Sequence, residues 1–152
     1  MVEHERRPDN LQIRFLTRDD IPDLLALWSA AKLSIRPSGR DHADCLAAEI
    51  RDYPRNFLGA YSGRQLVGAC LATWDGRRGW INRLAVHPQS RRSGVAQQLV
   101  AAAEAELKSR GARVIAALVE PGNAPSLALF ARCGYRDTPR AIYLSKREDP
   151  DA

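Results

Sequence analysis

One stretch limits what this chain can fold into more than any other: Leu84-Ala85-Val86-His87-Pro88-Gln89-Ser90-Arg91-Arg92-Ser93-Gly94-Val95-Ala96. A strand-like apolar run breaks at Pro88, passes through a polar turn and re-emerges as a long amphipathic helix. The first turn of a helix presents unpaired backbone N–H groups and the positive end of its dipole. Two guanidinium groups and a glycine with no side chain to block close approach sit at that turn. Together they make a site suited to a pyrophosphate. A plain, solvated strand-to-helix connection is the competing reading of Arg91 and Arg92.

The flanking sequence alternates strands and helices. Leu11–Leu16 alternates like a strand, and Thr17-Arg18-Asp19-Asp20 offers a helix start with acidic residues in the first turn. Ile21, Leu24, Leu25, Leu27 and Trp28 give the following helix an apolar face. Leu33–Arg40, broken by Pro37 and Gly39, is predicted as a loop, with a second helix from Asp41 to about Arg51. Asn56–Tyr61 and Gln65–Trp74 read as antiparallel strands, Asp75–Gly79 as a turn, and Trp80–Val86 as the next strand. After Gly94 a helix places Val95, Leu99, Ala102, Ala103 and Leu107 on one face and ends at Arg110-Gly111. Arg113–Val119 is an apolar strand suited to a parallel crossover, broken by Pro121-Gly122. A short helix from Ala124 to Arg132 then leads through Cys133-Gly134-Tyr135 into a last hairpin ending near Leu144. Residues 1–10 and the Glu148–Ala152 end read as frayed termini. The order β-α-α-β-β-β-α-β-α-β-β predicts an α/β fold: one mixed sheet with helices on both faces.

A chain of 152 residues with 45% apolar content suits a single domain with a substantial core. No segment is long and apolar enough to span a bilayer, and the N-terminus lacks a signal-peptide apolar stretch. Cys45, Cys70 and Cys133 are scattered and odd in number, and show no metal spacing. A reducing cytoplasmic location without a metal is the expectation. His4, His42 and His87 are isolated, and His87 beside Pro88 reads as a solvated turn residue. The net charge of +5 suits either nucleic acid or an anionic small molecule. The arginines are spread along the chain without a dense basic block or interleaved aromatics, which disfavours nucleic acid.

Two elements resemble a known family. Arg91-Arg92-Ser93-Gly94-Val95-Ala96 is similar to the Arg/Gln-x-x-Gly-x-Gly/Ala loop of the GNAT superfamily of acyl-CoA-dependent N-acyltransferases, and Leu84-Ala85-Val86-His87-Pro88 to the strand end that precedes it. Downstream, the run from Asn123 through Phe130 to Gly134-Tyr135 resembles the helix ending that closes the coenzyme cleft. The likeness runs from about Leu11 to about Lys146, as in bacterial single-domain members. It implies a GNAT fold, in which a mostly antiparallel sheet has parallel central strands that splay apart. It also implies transfer of an acetyl group from acetyl-CoA to an amine by direct attack on the thioester, with no covalent enzyme intermediate. The acceptor is then a small-molecule or protein amine, and a homodimer is compatible with the sequence.

Carried over residue by residue, the backbone of Leu84, Ala85 and Val86 pairs with pantetheine, and a backbone N–H near Val86 holds the oxyanion. The amides of Arg92, Ser93, Gly94, Val95 and Ala96 hold the pyrophosphate, with the Arg91 and Arg92 side chains in reach. Asn123 contacts the coenzyme or caps its helix, two compatible roles. Two positions depart from the pattern. Phe130 stands where relatives often have a tyrosine as general acid. A thiol near pKa 8.5 leaves as thiolate at pH 7 at a cost of only about 2 kcal/mol, so that loss does not exclude catalysis. Ser126, one turn earlier, is a substitute donor or a capping residue. Asn82 and Arg83 stand where relatives carry a carboxylate, which leaves Glu120 as candidate base against a plain surface role; Asp75 reads as a turn former. Arg36, Arg40 and Arg83 border the acceptor side and suggest an anionic acceptor, or else they point to solvent or pair with acids. The rival functions are a non-catalytic acetyl-CoA-binding module, suggested by the missing tyrosine and carboxylate, and a basic nucleic-acid binder.

Overall fold

The computed structural model of the chain describes residues 11–138 and 141–152. Five strands form one sheet in chain order: β1 (Leu11–Phe15), β2 (Phe57–Ser62), β3 (Gln65–Trp74), β4 (Gly79–Val86) and β5 (Ile115–Ala117). The first three pairings are antiparallel and β4 pairs with β5 in parallel. A parallel pair needs a crossover, which α3 (Val95–Ser109) supplies. Helices α1 (Ile21–Ala30) and α2 (Ala43–Asp52) lie between β1 and β2 in the chain, and α4 (Ala124–Arg132) follows β5. No helix among the described residues is long and apolar enough to cross a membrane.

The sheet separates two cores. On one side Leu24, Leu27 and Trp28 of α1 and Leu46 and Ile50 of α2 pack on Phe57, Tyr61, Ala69 and Ala85. On the other, Val95, Leu99, Ala103 and Leu107 of α3 pack on Leu58, Ala60, Ala72 and Ile81. The alternation of a strand explains this: odd and even residues face opposite layers, and both layers are apolar. Gly68 lets α3 settle on β3, since a Cβ there would lie 2.8 Å from Val95 Cγ1 and 2.9 Å from Leu99 Cδ1. Helices on both faces of a mixed sheet are what the sequence predicts.

Apart from shifts of a residue at strand ends, three expectations differ. The strand expected over Arg113–Val119 shortens to Ile115–Ala117. The second helix begins at Ala43, with His42 as its cap: the ring Nδ1 accepts from the Asp44 N–H at 3.1 Å. The expected last hairpin falls partly on residues 139–140, outside the described residues, and the described residues around it contain no strand. Ile142, Tyr143 and Leu144 are exposed instead, at 83%, 70% and 86%. A β5 of three residues is too short a template to hold a further strand by ladder bonds. The expectation of a frayed N-terminus likewise falls outside the described residues. At the other end Glu148–Ala152 is exposed, although the Asp151 carbonyl reaches Gly39 in the loop between α1 and α2.

Entry into α1 is fixed by Asp20. Its carboxylate, nearly buried, accepts from both terminal nitrogens of Arg14 (2.8 and 2.9 Å), from the Thr17 N–H (2.8 Å) and from the Tyr61 hydroxyl (2.7 Å). The Arg14 hydrogen bonds hold the Asp20 pKa far below the usual carboxylate range, against the opposing effect of burial. Burial and the Asp20 contact push the Tyr61 phenol up to about 12. Because the folded pKa is depressed, the stabilisation is present above the unfolded value near 3.9 and fades as pH falls below it. Asp20→Asn is expected to cost about 2 kcal/mol in urea unfolding at pH 7. The gap to the wild type should narrow as the pH is lowered through 4 and below.

Candidate functional site

The sheet opens at β4. Parallel pairing with β5 runs from Gly79↔Ile115 to Ile81↔Ala117 and stops. On the β3 side, Ala69 pairs with Ala85 and Leu71 with Asn82, so Arg83 and Leu84 together oppose Cys70. That is a β-bulge, and Arg83 adopts φ +54° to make it. Past the bulge, β4 has no strand partner on its β5 side among the described residues. Leu84, Ala85 and Val86 therefore present a free backbone edge along a cleft, where an extended amide-bearing chain can pair as a further strand would.

The cleft leads to the start of α3. Pro88–Ser90 forms a 3-10 turn capped by His87, whose Nδ1 accepts from the Gln89 N–H at 3.3 Å, so His87 is a half-buried cap rather than a solvated turn residue. Arg92 (φ +62°) and Gly94 (φ +81°) are both left-handed. Alternating left- and right-handed residues turn successive N–H groups toward one point, a concavity that binds anions. The first well-formed helical bond is Gln98 N–H to the Gly94 carbonyl at 3.1 Å. No main-chain N–H from Arg91 to Gln97 has a well-formed backbone acceptor among the described residues. The Ser93 hydroxyl donates to the Ser90 carbonyl and so shapes the loop. A Cβ on Gly94 would meet no protein atom within 4 Å, so the space above it is open to a ligand. Arg91 and Arg92 are exposed at its rim. The N–H groups of the carried-over pyrophosphate site thus lie on the loop and the first turn of α3, and the residues fit that group.

The α4 side is quieter. Asn123 Oδ1 accepts from the Ser126 N–H at 3.2 Å, which is the N-cap role. Glu120 is exposed, and its carbonyl accepts from the Asn123 N–H at 2.9 Å. Its carboxylate makes no hydrogen bond or ion pair with a described residue, which agrees with the surface reading. Phe130 is buried and meets the Tyr135 ring edge-on at 5.0 Å. The nearest phenol is therefore Tyr135, but its hydroxyl lies 3.1 Å from Glu104 Oε1 and donates to it. Burial first, and Glu104 second, drive the Tyr135 pKa well above its ordinary value, so it is a poor proton donor.

On the opposite side of β4 the arginines are not a free triad. Arg83 donates to Asp41 Oδ2 at 2.6 Å and to the Ser34 carbonyl at 2.7 Å, with its guanidinium 5.0 Å from the Trp28 ring centre. Asp41 is 4% exposed and also accepts from the Arg36 N–H at 2.6 Å. Arg40 Nε lies 4.0 Å from the same carboxylate. The anionic acceptor expected from Arg36, Arg40 and Arg83 thus loses its main support: Asp41 neutralises Arg83 and sits beside Arg40. Asp41 and Trp28 are the site residues that sequence reasoning missed. Asp41 reads as a helix start and Trp28 as core, and only the fold brings them to the bulge.

An acetyltransferase (GNAT) family model matches residues 21–135. Among similar proteins are an acetyltransferase of Pectobacterium atrosepticum, 30% identical over 90% of this chain and 95% of its own, and one of Sodalis glossinidius, 28% identical with the same coverage. Similar solved structures include the PaiA N-acetyltransferase of Thermoplasma acidophilum in complex with coenzyme A. It superposes with a TM-score of 0.73 at 20% identity, covering 84% of this chain and 90% of that one. An aminoglycoside 6'-N-acetyltransferase of Acinetobacter haemolyticus superposes at 0.71 and 26% identity, covering 91% and 99%.

Removing Arg83 would leave the Asp41 carboxylate buried without its strongest partner. Arg83→Ala is expected to lower unfolding free energy by about 3 kcal/mol. Adding Asp41→Ala should recover part of that loss, and a double-mutant cycle in urea reads the coupling directly.

Proposed function

The chain belongs to the GNAT acetyltransferase family, and we propose that its cleft works as an acetyl-CoA site built from β4 and the start of α3, with residues 11–146 as one catalytic domain. The protein is an N-acetyltransferase: an acceptor amine attacks the thioester carbonyl and coenzyme A leaves as thiol. The observation that carries the site assignment is the coincidence of two unsatisfied backbone sets. One is the free edge of Leu84, Ala85 and Val86; the other is the run of N–H groups from Arg92 to Ala96 around Gly94. The first suits the amides of pantetheine and the second the pyrophosphate, with Arg91 and Arg92 adding charge-assisted bonds.

Backbone donors give this site orientation without side-chain entropy to lose, and an N–H near Val86 is placed to meet charge developing on the carbonyl oxygen. Phe130 contributes shape and not a proton. The acceptor is a small-molecule amine bound beside the bulge, where the paired Asp41 and Arg83 leave little net charge for an anion to seek. Unpaired Cys45, Cys70 and Cys133 favour a reducing compartment, the cytoplasm.

Acetyl-CoA at a hundredfold excess over its dissociation constant should stabilise the fold by about 2.7 kcal/mol, read as a raised Tm. Gly94→Val should abolish that shift, since valine resists φ +81° and its side chain fills the phosphate approach. A wild type whose melting ignores acetyl-CoA would overturn the reading, and with it the choice of enzyme over nucleic-acid binder. Turnover of any amine separates the enzyme from a non-catalytic binding module.

A further inference from the structure

A cavity of about 430 Å³ lies between α1 and the tip of the β2–β3 hairpin, on the far side of β4 from β5. The helix contributes Asp23, Ala26 and Leu27, which share one face by their spacing. The end of the sheet contributes Arg64, Leu66 and His87. Leu27 and Leu66 are buried core residues, so the floor is apolar and firmly held. Ser62 pairs with Gln65, which leaves Gly63-Arg64 as a tight turn; Gly63 adopts φ +60° in it, and the turn fixes where the Arg64 side chain starts. The His87 N–H donates to the Val67 carbonyl at 2.8 Å, which holds His87 against β3.

The rim carries both signs of charge. Asp23 and Arg64 are exposed, and neither makes an ion pair among the described residues. They border one cavity from different elements and do not meet across it. His87 adds a directional donor: Nδ1 accepts from the Gln89 N–H, so the neutral ring carries its hydrogen on Nε2. The sheet end thus offers N–H donors, the helix offers a carboxylate, and the floor between them is hydrocarbon. The volume falls within the roughly 300–1,000 Å³ of small-molecule sites. A simple anion would face Asp23 and a simple cation would face Arg64. A molecule with both charges and an apolar body satisfies every group.

We propose that this cavity is a second ligand site that takes a free amino acid, with its carboxylate on Arg64 and His87, its ammonium on Asp23 and its hydrocarbon over Leu27 and Leu66. None of these residues belongs to the proposed coenzyme or acceptor sites. His87 also caps the Pro88–Ser90 turn, which leads directly toward the left-handed Arg92 and Gly94. A carboxylate that accepts from Nε2–H polarises the ring and makes Nδ1 a better acceptor for the Gln89 N–H. Occupancy firms the turn from which the phosphate-binding loop starts. Amino acid and acetyl-CoA therefore raise each other's affinity. That coupling, unlike the cavity's own ligand, rests on the acetyl-CoA reading above.

Calorimetric titration of the whole chain tests the site with leucine and δ-aminovalerate, which differ in the distance between their charges. Isoamylamine and isocaproate serve as controls with one charge each. At least one amino acid should bind, tenfold or more above both controls, and Asp23→Asn and Arg64→Gln should each weaken it about tenfold. The Tm shift with acetyl-CoA alone should stay as in the wild type in both variants. With the amino acid present, acetyl-CoA should bind the wild type about fivefold more tightly. His87→Asn, which keeps a cap acceptor but lacks the ring donor, should lose that gain. Failure of both amino acids to bind, equal binding of the controls, or binding that survives both substitutions overturns the site. So does acetylation of the amino acid that Asp23→Asn abolishes, which would make the cavity part of the acceptor site. Binding without mutual gain, in a protein whose melting responds to acetyl-CoA, overturns the coupling through His87. A melting curve that ignores acetyl-CoA overturns the coenzyme reading and the coupling, whereas the amino-acid site stands or falls on its own titration.

Discussion

Much of this molecule depends on where β4 lets go of β5. A sheet that stayed paired past Ile81 would have no cleft, since ladder bonds would consume the edge that a pantetheine chain needs. Two features enforce the separation. The bulge at Arg83 and Leu84 adds a residue to β4 and increases its local twist, and β5 ends after three residues. With the edge opened, the same strand delivers the chain through Pro88 into α3, so the free edge and the anion-binding turn become neighbours by connectivity alone. In the proposed site, coenzyme binding is a property of the backbone before it is one of side chains.

Such a site is unusually legible in a sequence. Gly94 reaches φ +81° without the strain a side chain would add, and Pro88 cannot continue the ladder, so both constraints appear as letters. The α3 stripe of Val95, Leu99, Ala103 and Leu107 is equally plain, because a period of 3.6 survives in any sequence. The acceptor side is different. Asp41, Trp28 and Arg83 come from a loop, a helix and a strand, and no spacing connects them. Arg83 is visible as a charge on a strand, but its pairing with Asp41 depends on how the loop between α1 and α2 lies on the sheet. That gap is why Arg36, Arg40 and Arg83 can be read either as an anion site or as paired with acids: charge is legible and neutralisation is not. The lack of a strand among the described residues 141–144 has another cause. Ile142 and Leu144 alternate as a strand should, but pairing needs an edge, and edge length is a property of β5.

Arg83 links the two levels. A left-handed residue that is not glycine costs on the order of 1 kcal/mol or more. Glycine would remove that cost, yet the guanidinium is what recovers it, through the Asp41 carboxylate, the Ser34 carbonyl and the Trp28 ring. Those contacts tie the bulge to α1 and to the loop before α2. The conformation that opens the cleft is therefore held from the acceptor side. Any shift of the loop from Ser34 to Asp41 would release Arg83, and with it the geometry of the edge that follows at Leu84. In the proposed site, one strained residue thus borders both the free edge of β4 and the α1–α2 side of the sheet, and the buried pair that neutralises its charge also fixes the backbone at the start of that edge.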